Sequence, residues 1–401
     1  MILKETLMRV LNFQKEELET LPDGIKRELF DKLDLNIPQA IILAGVRRCG
    51  KSTLLRQLMK KQEHYYLNFD DQRLASFEVE DFEKLEEIFP LTYVQSNYFF
   101  FDEIQNVLKW ELFIRKLLNS RKRCIVTGSN ASLLSKELGT RLTGRHFNYE
   151  LFPLSYSEFL DYFKQKPQSE TAKSYLELGG FPEYLQNQRD QFLQELLNDI
   201  LMKDIVVRYK LRESKKLEEL AIYFLTNVGK EFSYNGLTKL LGLGSTNTVI
   251  SYVSYLEDCY LIFTIPRFSY SYKQQLVNPK KVYSIDNGLI RANSVTSSAD
   301  QGRLLENAVY LQLRRKYKDI FYFKGKKECD FVIKEKKIVK ELIQVCWEIN
   351  SDNQERELSG LKEAAEELKC EQQLIITFNQ EDKLGDVKLI PFWRWASRLN
   401  K

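Results

Sequence analysis

Five consecutive apolar residues, Ala40, Ile41, Ile42, Leu43 and Ala44, end a polar, helix-patterned stretch. A short unbroken apolar run suits a strand buried on both faces, as the strands of parallel sheets are. Similar runs recur at residues 65–69, 98–101 and 124–127, with helix-period stretches between them and a last run around 147–151. Strands alternating with helices predict a three-layer α/β domain with a parallel sheet. Ahead of it, residues 1–35 read as helices broken at Pro22-Asp23-Gly24, a turn signal. After a polar connection at 166–170, residues 171–225 are helical in pattern, interrupted at Gly179-Gly180-Phe181-Pro182. Residues 230–290 then give a helix, a tight turn at 242–244, a helix from about Ser245 to Asp258, and strand-like segments at 261–268 and 281–285. Helix, turn, helix, hairpin is the order of a winged helix-turn-helix. From Gln301 the pattern runs helix, three strands, helix, two strands. Five segments are therefore expected: 1–35, 36–165, 166–229, 230–297 and 298–401.

Composition narrows the chemistry. The 401 residues are 43% hydrophobic and 29% charged, ordinary globular usage that excludes a disordered or fibrous chain. Two histidines, His64 and His146, leave no basis for a histidine-built zinc site or a Ser-His-Asp triad. The six cysteines contain no C-x-x-C pair, and dispersed thiols fit a reducing cytoplasm. The first 17 residues are charged, with no apolar core for a signal peptide, and no run approaches 18 apolar residues. A cytoplasmic protein without a membrane span is expected. The formal charge of +4 is too small to argue for nucleic acid, but residues 303–340 hold twelve basic and five acidic residues, a local +7.

The sharpest motif is Gly45-Val46-Arg47-Arg48-Cys49-Gly50-Lys51-Ser52, set between the first apolar strand and a helix beginning near Thr53. It fits G-x-x-x-x-G-K-[ST] in strand–loop–helix context. The loop's N–H groups would wrap the phosphates of ATP, Lys51 would reach the β- and γ-phosphates, and Ser52 would ligate Mg²⁺. Cys49 lies near a helix N-terminus, where a thiol pKa can fall, so it is a candidate redox switch as well as a loop position. Four aromatics then end in Asp102-Glu103. An apolar strand delivering two acids supplies a Mg²⁺ carboxylate in Asp102 and a water-polarising base in Glu103. Ser129 and Asn130, after the next strand, could contact the γ-phosphate or cap a helix at 131–138. Arg141 and Arg145, on a glycine-flanked loop, are candidates for an arginine finger serving a neighbour's ATP.

The order of these four motifs resembles that of AAA+ ATPases. Phe152-Pro153-Leu154-Ser155 with Glu158-Phe159, then Gly180-Phe181-Pro182, then Asp204 near Arg208, resembles one prokaryotic group within them. That resemblance implies an AAA+ core over 36–165, a helical lid over 166–229, a winged helix over 230–297 and a PD-(D/E)XK nuclease-like α/β domain over 298–401. In the last, Glu306, Asp330 and Gln344 take the places of the nuclease ligands, and Cys346 sits where the lysine belongs. A neutral thiol supplies no cation, so the domain is expected to keep the fold without cutting. Lys324 or Lys340 would have to reach in to restore the charge. The small residues Ser245, Thr246, Asn247 and Thr248 open the winged helix's second helix, where DNA contacts would be made, though such residues also cap helices. The resulting expectation is a Mg-ATP hydrolase acting as a motor or switch on nucleic acid. It would hold DNA through the winged helix and the basic C-terminal surface, with a protein partner or a homo-oligomer as further associations. A nucleotide-gated regulatory or protein-binding module with little turnover is the rival, and an ATP-dependent nuclease the third reading.

Overall fold

A computed structural model describes residues 1–130, 144–295 and 300–399, which form two compact units, 1–152 and 153–401. The first unit is a five-stranded parallel sheet in the order β2-β3-β4-β1-β5: β1 Ala40–Ala44, β2 Tyr65–Asn68, β3 Tyr98–Asp102, β4 Arg123–Gly128 and β5 His146–Glu150. Its central strands are buried end to end, as the unbroken apolar runs require. One sheet face is a net of aromatic rings, in which Phe82 of the helix Asp81–Thr92 stacks on Phe113 of the helix Trp110–Asn119 at 4.1 Å. The N-terminal helix Lys4–Thr20 buries Leu7, Val10, Leu11 and Gln14, one helical stripe. Gln14 closes the end of edge strand β2: its amide donates to the Asn68 carbonyl at 3.1 Å and accepts from the Asn68 N–H at 2.9 Å. Those edge groups would otherwise be open to pairing.

The second unit begins at Pro153, so the chain leaves the first unit earlier than the expected boundary at 165. The reason is packing. Tyr156 and Phe159 of the helix Tyr156–Phe163 lie against Tyr175, and Tyr156 also meets Phe392 near the C-terminus. Ser155 and Glu158 form a capping box at that helix's start. Gly180 fits against the Leu154 backbone, whose carbonyl a Cβ would approach to 2.4 Å. Helices continue to Thr226. A short strand β6 Glu231–Phe232, the helices Tyr234–Leu240 and Thr246–Asp258, and strands β7 Ile262–Pro266 and β8 Lys280–Ser284 follow, with sheet order β6-β8-β7.

After the helix Gln301–Lys316 comes a six-stranded mixed sheet in the order β13-β14-β12-β11-β10-β9. Strands β9 Ile320–Lys324, β10 Glu328–Glu335 and β11 Ile338–Cys346 form an antiparallel meander, and β12 Gln373–Thr377 joins β11 in parallel after the helix Gln354–Leu368. Two further strands, β13 Asp382–Leu384 and β14 Val387–Pro391, and a last helix Phe392–Ala396 follow, one strand and one helix more than expected.

The helix Gln354–Leu368 sits closely on β10 because Gly360 has no side chain: a Cβ there would stand 2.0 Å from the Glu328 carbonyl oxygen. The clash is with backbone, which cannot swing aside. Gly360→Ala should therefore destabilise the second unit by about 2 kcal/mol, despite alanine's better helix propensity. A chemical-denaturation midpoint equal to or above that of the wild type would contradict this packing.

Candidate functional site

The phosphate loop leaves β1 at the carboxyl edge of the sheet and turns into the helix Lys51–Met59. Gly50 makes the turn in a left-handed conformation, φ 100°, which only glycine adopts freely. Gly45 lies under the Leu151 carbonyl, 2.1 Å from where a Cβ would be. Val46 and Cys49 are buried, Arg47 and Thr53 half-buried, and Arg48 and Ser52 exposed. The Lys51 ammonium is buried and is held by the loop's own carbonyls, Gly45 at 3.1 Å and Val46 at 3.2 Å. Those are the bonds it would exchange for phosphate oxygens. Cys49 is fully buried and donates to the Leu151 carbonyl at 3.3 Å. Burial pushes its thiol up, against smaller opposing effects of Lys51 and Arg27, which removes the basis for a redox switch there.

A residue that the motifs did not mark braces the loop. Arg27, from the segment after Pro22-Asp23-Gly24, is buried and donates to the Cys49 carbonyl at 2.8 Å and to the Phe152 carbonyl at 2.7 Å.

Strand β3, two places from β1 with β4 between, brings Asp102 and Glu103 to the same edge. Asp102 is fully buried, accepts a hydrogen bond from the Thr127 hydroxyl, and leaves its second carboxylate oxygen buried without a hydrogen-bond partner. An orphaned carboxylate oxygen is costly unless something else satisfies it. Together with Ser52, whose hydroxyl also bonds Asp102, it makes a donor set of the hard oxygen kind that Mg²⁺ takes. Burial, and then repulsion from Glu103, raise the Asp102 carboxyl above its usual range. Glu103 is shifted the other way: burial raises it, but Lys51, Gln105 and Arg47 outweigh burial and hold it ionised. Its carboxylate lies 3.5 Å from the Lys51 ammonium. Its backbone is left-handed, φ 50°, and its N–H donates to the Thr127 hydroxyl oxygen at 2.9 Å. One threonine thus fixes both acids. The sequence motif named Thr127 but gave it no role.

Ser129 and Asn130 are buried at the end of β4, and Gln105 spans from the Glu103 carboxylate to the Ser129 hydroxyl at 3.5 Å. The helix expected at 131–138 and Arg141 lie outside the described residues. Arg145 is described, and it is not near its own phosphate loop. Its carbonyl accepts from Ala40 N at 2.9 Å, at the opposite edge of the sheet, and its guanidinium donates to Asn119 at 2.6 Å.

The C-terminal candidates come together differently from expectation. Glu306 and Asp330 do converge, but on Lys281 of β8, which is only 2% exposed. The Lys281 ammonium lies 3.4 Å from Glu306, 3.1 Å from Asp330 and 2.6 Å from Glu328. The central cation comes from the preceding three-stranded sheet; Lys324 pairs with Glu231 and reaches only Glu328, at 3.9 Å, and Lys340 pairs with Glu335. Gln344 is committed elsewhere: it accepts from the Asp330 N–H at 3.2 Å and donates to Glu357 at 2.7 Å. Cys346 donates to the Glu348 carbonyl at 3.1 Å, and its thiol is pushed up to about 11 by burial. Among the described residues no group of three or more His, Cys, Asp or Glu is arranged to hold a metal ion. Ser245 caps the helix Thr246–Asp258, and Thr246 donates to Asn235 at 3.1 Å, so both have structural work.

Glu306 generates a pH test. Burial, partly offset by Lys281 and reinforced by Asp330, raises it to about 7, while Tyr283 donates to it at 2.7 Å. Above its unfolded pKa of about 4.3 the unfolded chain gives up this proton while the folded chain keeps it. The contribution of Glu306 is thus fully present in acid and is lost as pH rises towards 7. Glu306→Gln should flatten the fall in unfolding free energy between about pH 5 and 8 by an amount of order 2 kcal/mol. Parallel melting curves for wild type and variant would show that Glu306 does not carry the proton.

Comparison with known proteins agrees with the first unit. Residues 38–160 match the family described as AAA domain, residues 169–300 a domain of unknown function (DUF8612), and residues 301–395 another (DUF4143). An uncharacterized protein of Methanocaldococcus jannaschii is 34% identical over 99% of this chain and 96% of its own length. An uncharacterized protein of Haemophilus influenzae is 30% identical over 78% of this chain and 84% of its own. Among solved structures, the Walker-type ATPase of Pyrococcus abyssi aligns with 69% of this chain and 99% of its own, at 17% identity and a TM-score of 0.40. A relative this similar along nearly its whole length, together with an AAA domain laid over the phosphate loop and both acids, gives the assignment: the chain belongs to the AAA-type P-loop ATPase family.

Proposed function

We propose that the chain hydrolyses Mg-ATP and uses the cycle as a switch or motor associated with nucleic acid. The observation that carries the ATPase reading is the ionised Glu103 held beside Lys51 at the sheet edge, its backbone tied to the threonine that also holds Asp102. A glutamate kept as the carboxylate can accept a proton from water as that water attacks the terminal phosphate. Lys51 would move from the Gly45 and Val46 carbonyls to the phosphates, which frees Glu103 from part of its ion pair. Ser52 and Asp102 would hold Mg²⁺, which supplies charge neutralisation at the phosphates. Gln105 orients Glu103 and reaches Ser129, so the end of β4 is coupled to the base.

Arg145 supports an action between subunits, since the far edge of the sheet cannot serve its own loop. Arg141 on the same loop remains the second candidate. The helical segment after residue 153 is read as the lid. The order helix, strand, two helices and an antiparallel pair over 215–284 supports a winged helix. The order helix, antiparallel meander, helix and parallel strand from Gln301 supports a nuclease-like fold. Lys281 argues against cleavage by that fold, because its ammonium lies among the carboxylates that a metal would need.

Lys51→Ala should lose ATP affinity, and Glu103→Gln should bind ATP while turnover falls by about 10²–10⁴-fold. Turnover at the wild-type rate in Glu103→Gln would exclude Glu103 as the base. Mixing Arg145→Ala with Glu103→Gln should restore part of the activity through composite sites. Co-assembled but inactive mixtures would remove the trans role of Arg145.

A further inference from the structure

The basic stretch 303–340 is only in part an open surface, because several of its cations are already engaged. Lys324 pairs with Glu231, Lys340 with Glu335 at 2.8 Å, and Arg303 with Asp300 at 3.1 Å. Arg315 donates to the Pro153 carbonyl at 2.7 Å, and Lys316 to the Leu399 carbonyl at 3.3 Å. The helix Thr246–Asp258 contains no lysine or arginine and so brings no cation to a phosphate.

Two other lysines of the basic stretch, Lys334 and Lys337, meet unpacked rings in the second unit. A groove of about 580 Å³ opens where the segment after β7 passes the edge strand β9. Tyr270 and Tyr272 line it and are 79% and 72% exposed, unusual for large rings in a folded chain. Lys334, Lys337 and Lys369 line the same groove, and none has an ion-pair partner among the described residues. The one acid lining it is Asp319, so the groove is net basic.

The segment that carries the tyrosines is held in place. Phe268 N–H donates to the Tyr322 carbonyl at 2.7 Å, which ties the segment to β9. Tyr270 packs edge-on against Phe268 at 5.3 Å, and Phe268 against Phe321 at 5.5 Å. Ser269 accepts from Ser271 N–H at 3.1 Å and Gln275 donates to the Ser269 carbonyl at 2.6 Å, closing the turn that carries both rings. Open ring faces on a tethered segment, beside ammonium groups without ion-pair partners among the described residues, match the chemistry of unstacked bases on a phosphate backbone. A duplex keeps its base faces covered, and an apolar protein partner would gain nothing from three lysines left without acids.

We propose that this groove binds single-stranded nucleic acid, with bases stacked on Tyr270 and Tyr272 and phosphates on Lys334, Lys337 and Lys369. The proposal rests on the nucleic-acid reading above and names the site and strand form for it.

The test uses the full chain and fluorescein-labelled oligothymidylate, oligouridylate and a duplex of equal length, read by anisotropy at several salt concentrations. Single strands should bind more tightly than duplex. Tyr270→Ala and Tyr272→Ala should each weaken single-strand binding by about tenfold and leave duplex binding little changed. Lys337→Ala should reduce the salt slope by about 0.7, the share of one phosphate on a single strand. Single-strand binding untouched by either tyrosine change would overturn the groove while leaving the nucleic-acid reading intact. No binding of any oligonucleotide, or loss of self-association in place of oligonucleotide binding in the tyrosine variants, would overturn it as well. ATP turnover without oligonucleotide is read in parallel: its absence would sink the hydrolase reading and not the groove.

Discussion

Two carboxylates and an ammonium removed from water at one sheet edge set the terms for the first unit. Asp102, Glu103 and Lys51 cannot each be buried alone, because an uncompensated charge in the interior costs several kcal/mol. They are tolerable together: Lys51 balances Glu103, and Thr127 serves Asp102 with its proton and Glu103 with its oxygen. The arrangement demands that β3 and β4 be neighbours with Asp102 near Thr127, and the parallel register that pairs Phe101 with Val126 delivers it. The sheet order and the left-handed turn at Glu103 are consequences of the same requirement. Strain of a kcal/mol or so at one backbone position is a small cost beside an unpaired buried acid.

The second unit solves a similar problem with a different ion. Glu306, Glu328 and Asp330 gather at the foot of the six-stranded sheet, and Lys281 arrives from the neighbouring three-stranded sheet. Burial is the main reason that Glu306 keeps a proton to about pH 7, with Lys281 opposing it and Asp330 adding to it. The cluster fastens two sheets that sequence patterns alone would treat as separate domains. The stacking of Tyr283 on Tyr310 at 4.3 Å runs beside it.

Strands and the phosphate loop were legible because their signals are local. Each buried strand is a contiguous apolar run, and the loop needs its glycines, lysine and serine in fixed spacing. Asp102 and Glu103 were legible for the same reason. What the sequence could not mark were particular side-chain partners, most of them far apart in the chain: Arg27 on Cys49, Lys281 among acids up to 49 residues away, and Gln105 two residues from Glu103. None belongs to a spaced motif. Tyr156 and Phe159 read as apolar residues of a helix, with nothing local to say that Tyr156 meets Phe392 and that both meet Tyr175. The basic stretch was legible as charge alone, since lysine counts carry no information on which acids lie opposite: Lys324 and Lys340 are paired, while Lys334 and Lys337 line a groove.

Arg27 gives the phosphate loop a mechanical reach that its sequence does not suggest. One guanidinium grips two carbonyls, that of Cys49 within the loop and that of Phe152, the last residue before the chain leaves the first unit. A planar fork of fixed geometry cannot follow one carbonyl while staying on the other unless both shift together. The loop's shape and the chain's point of exit therefore behave as two ends of a rigid strut. Whatever alters the loop's backbone is passed, by a single side chain, to Phe152, 103 positions further along the chain than Cys49.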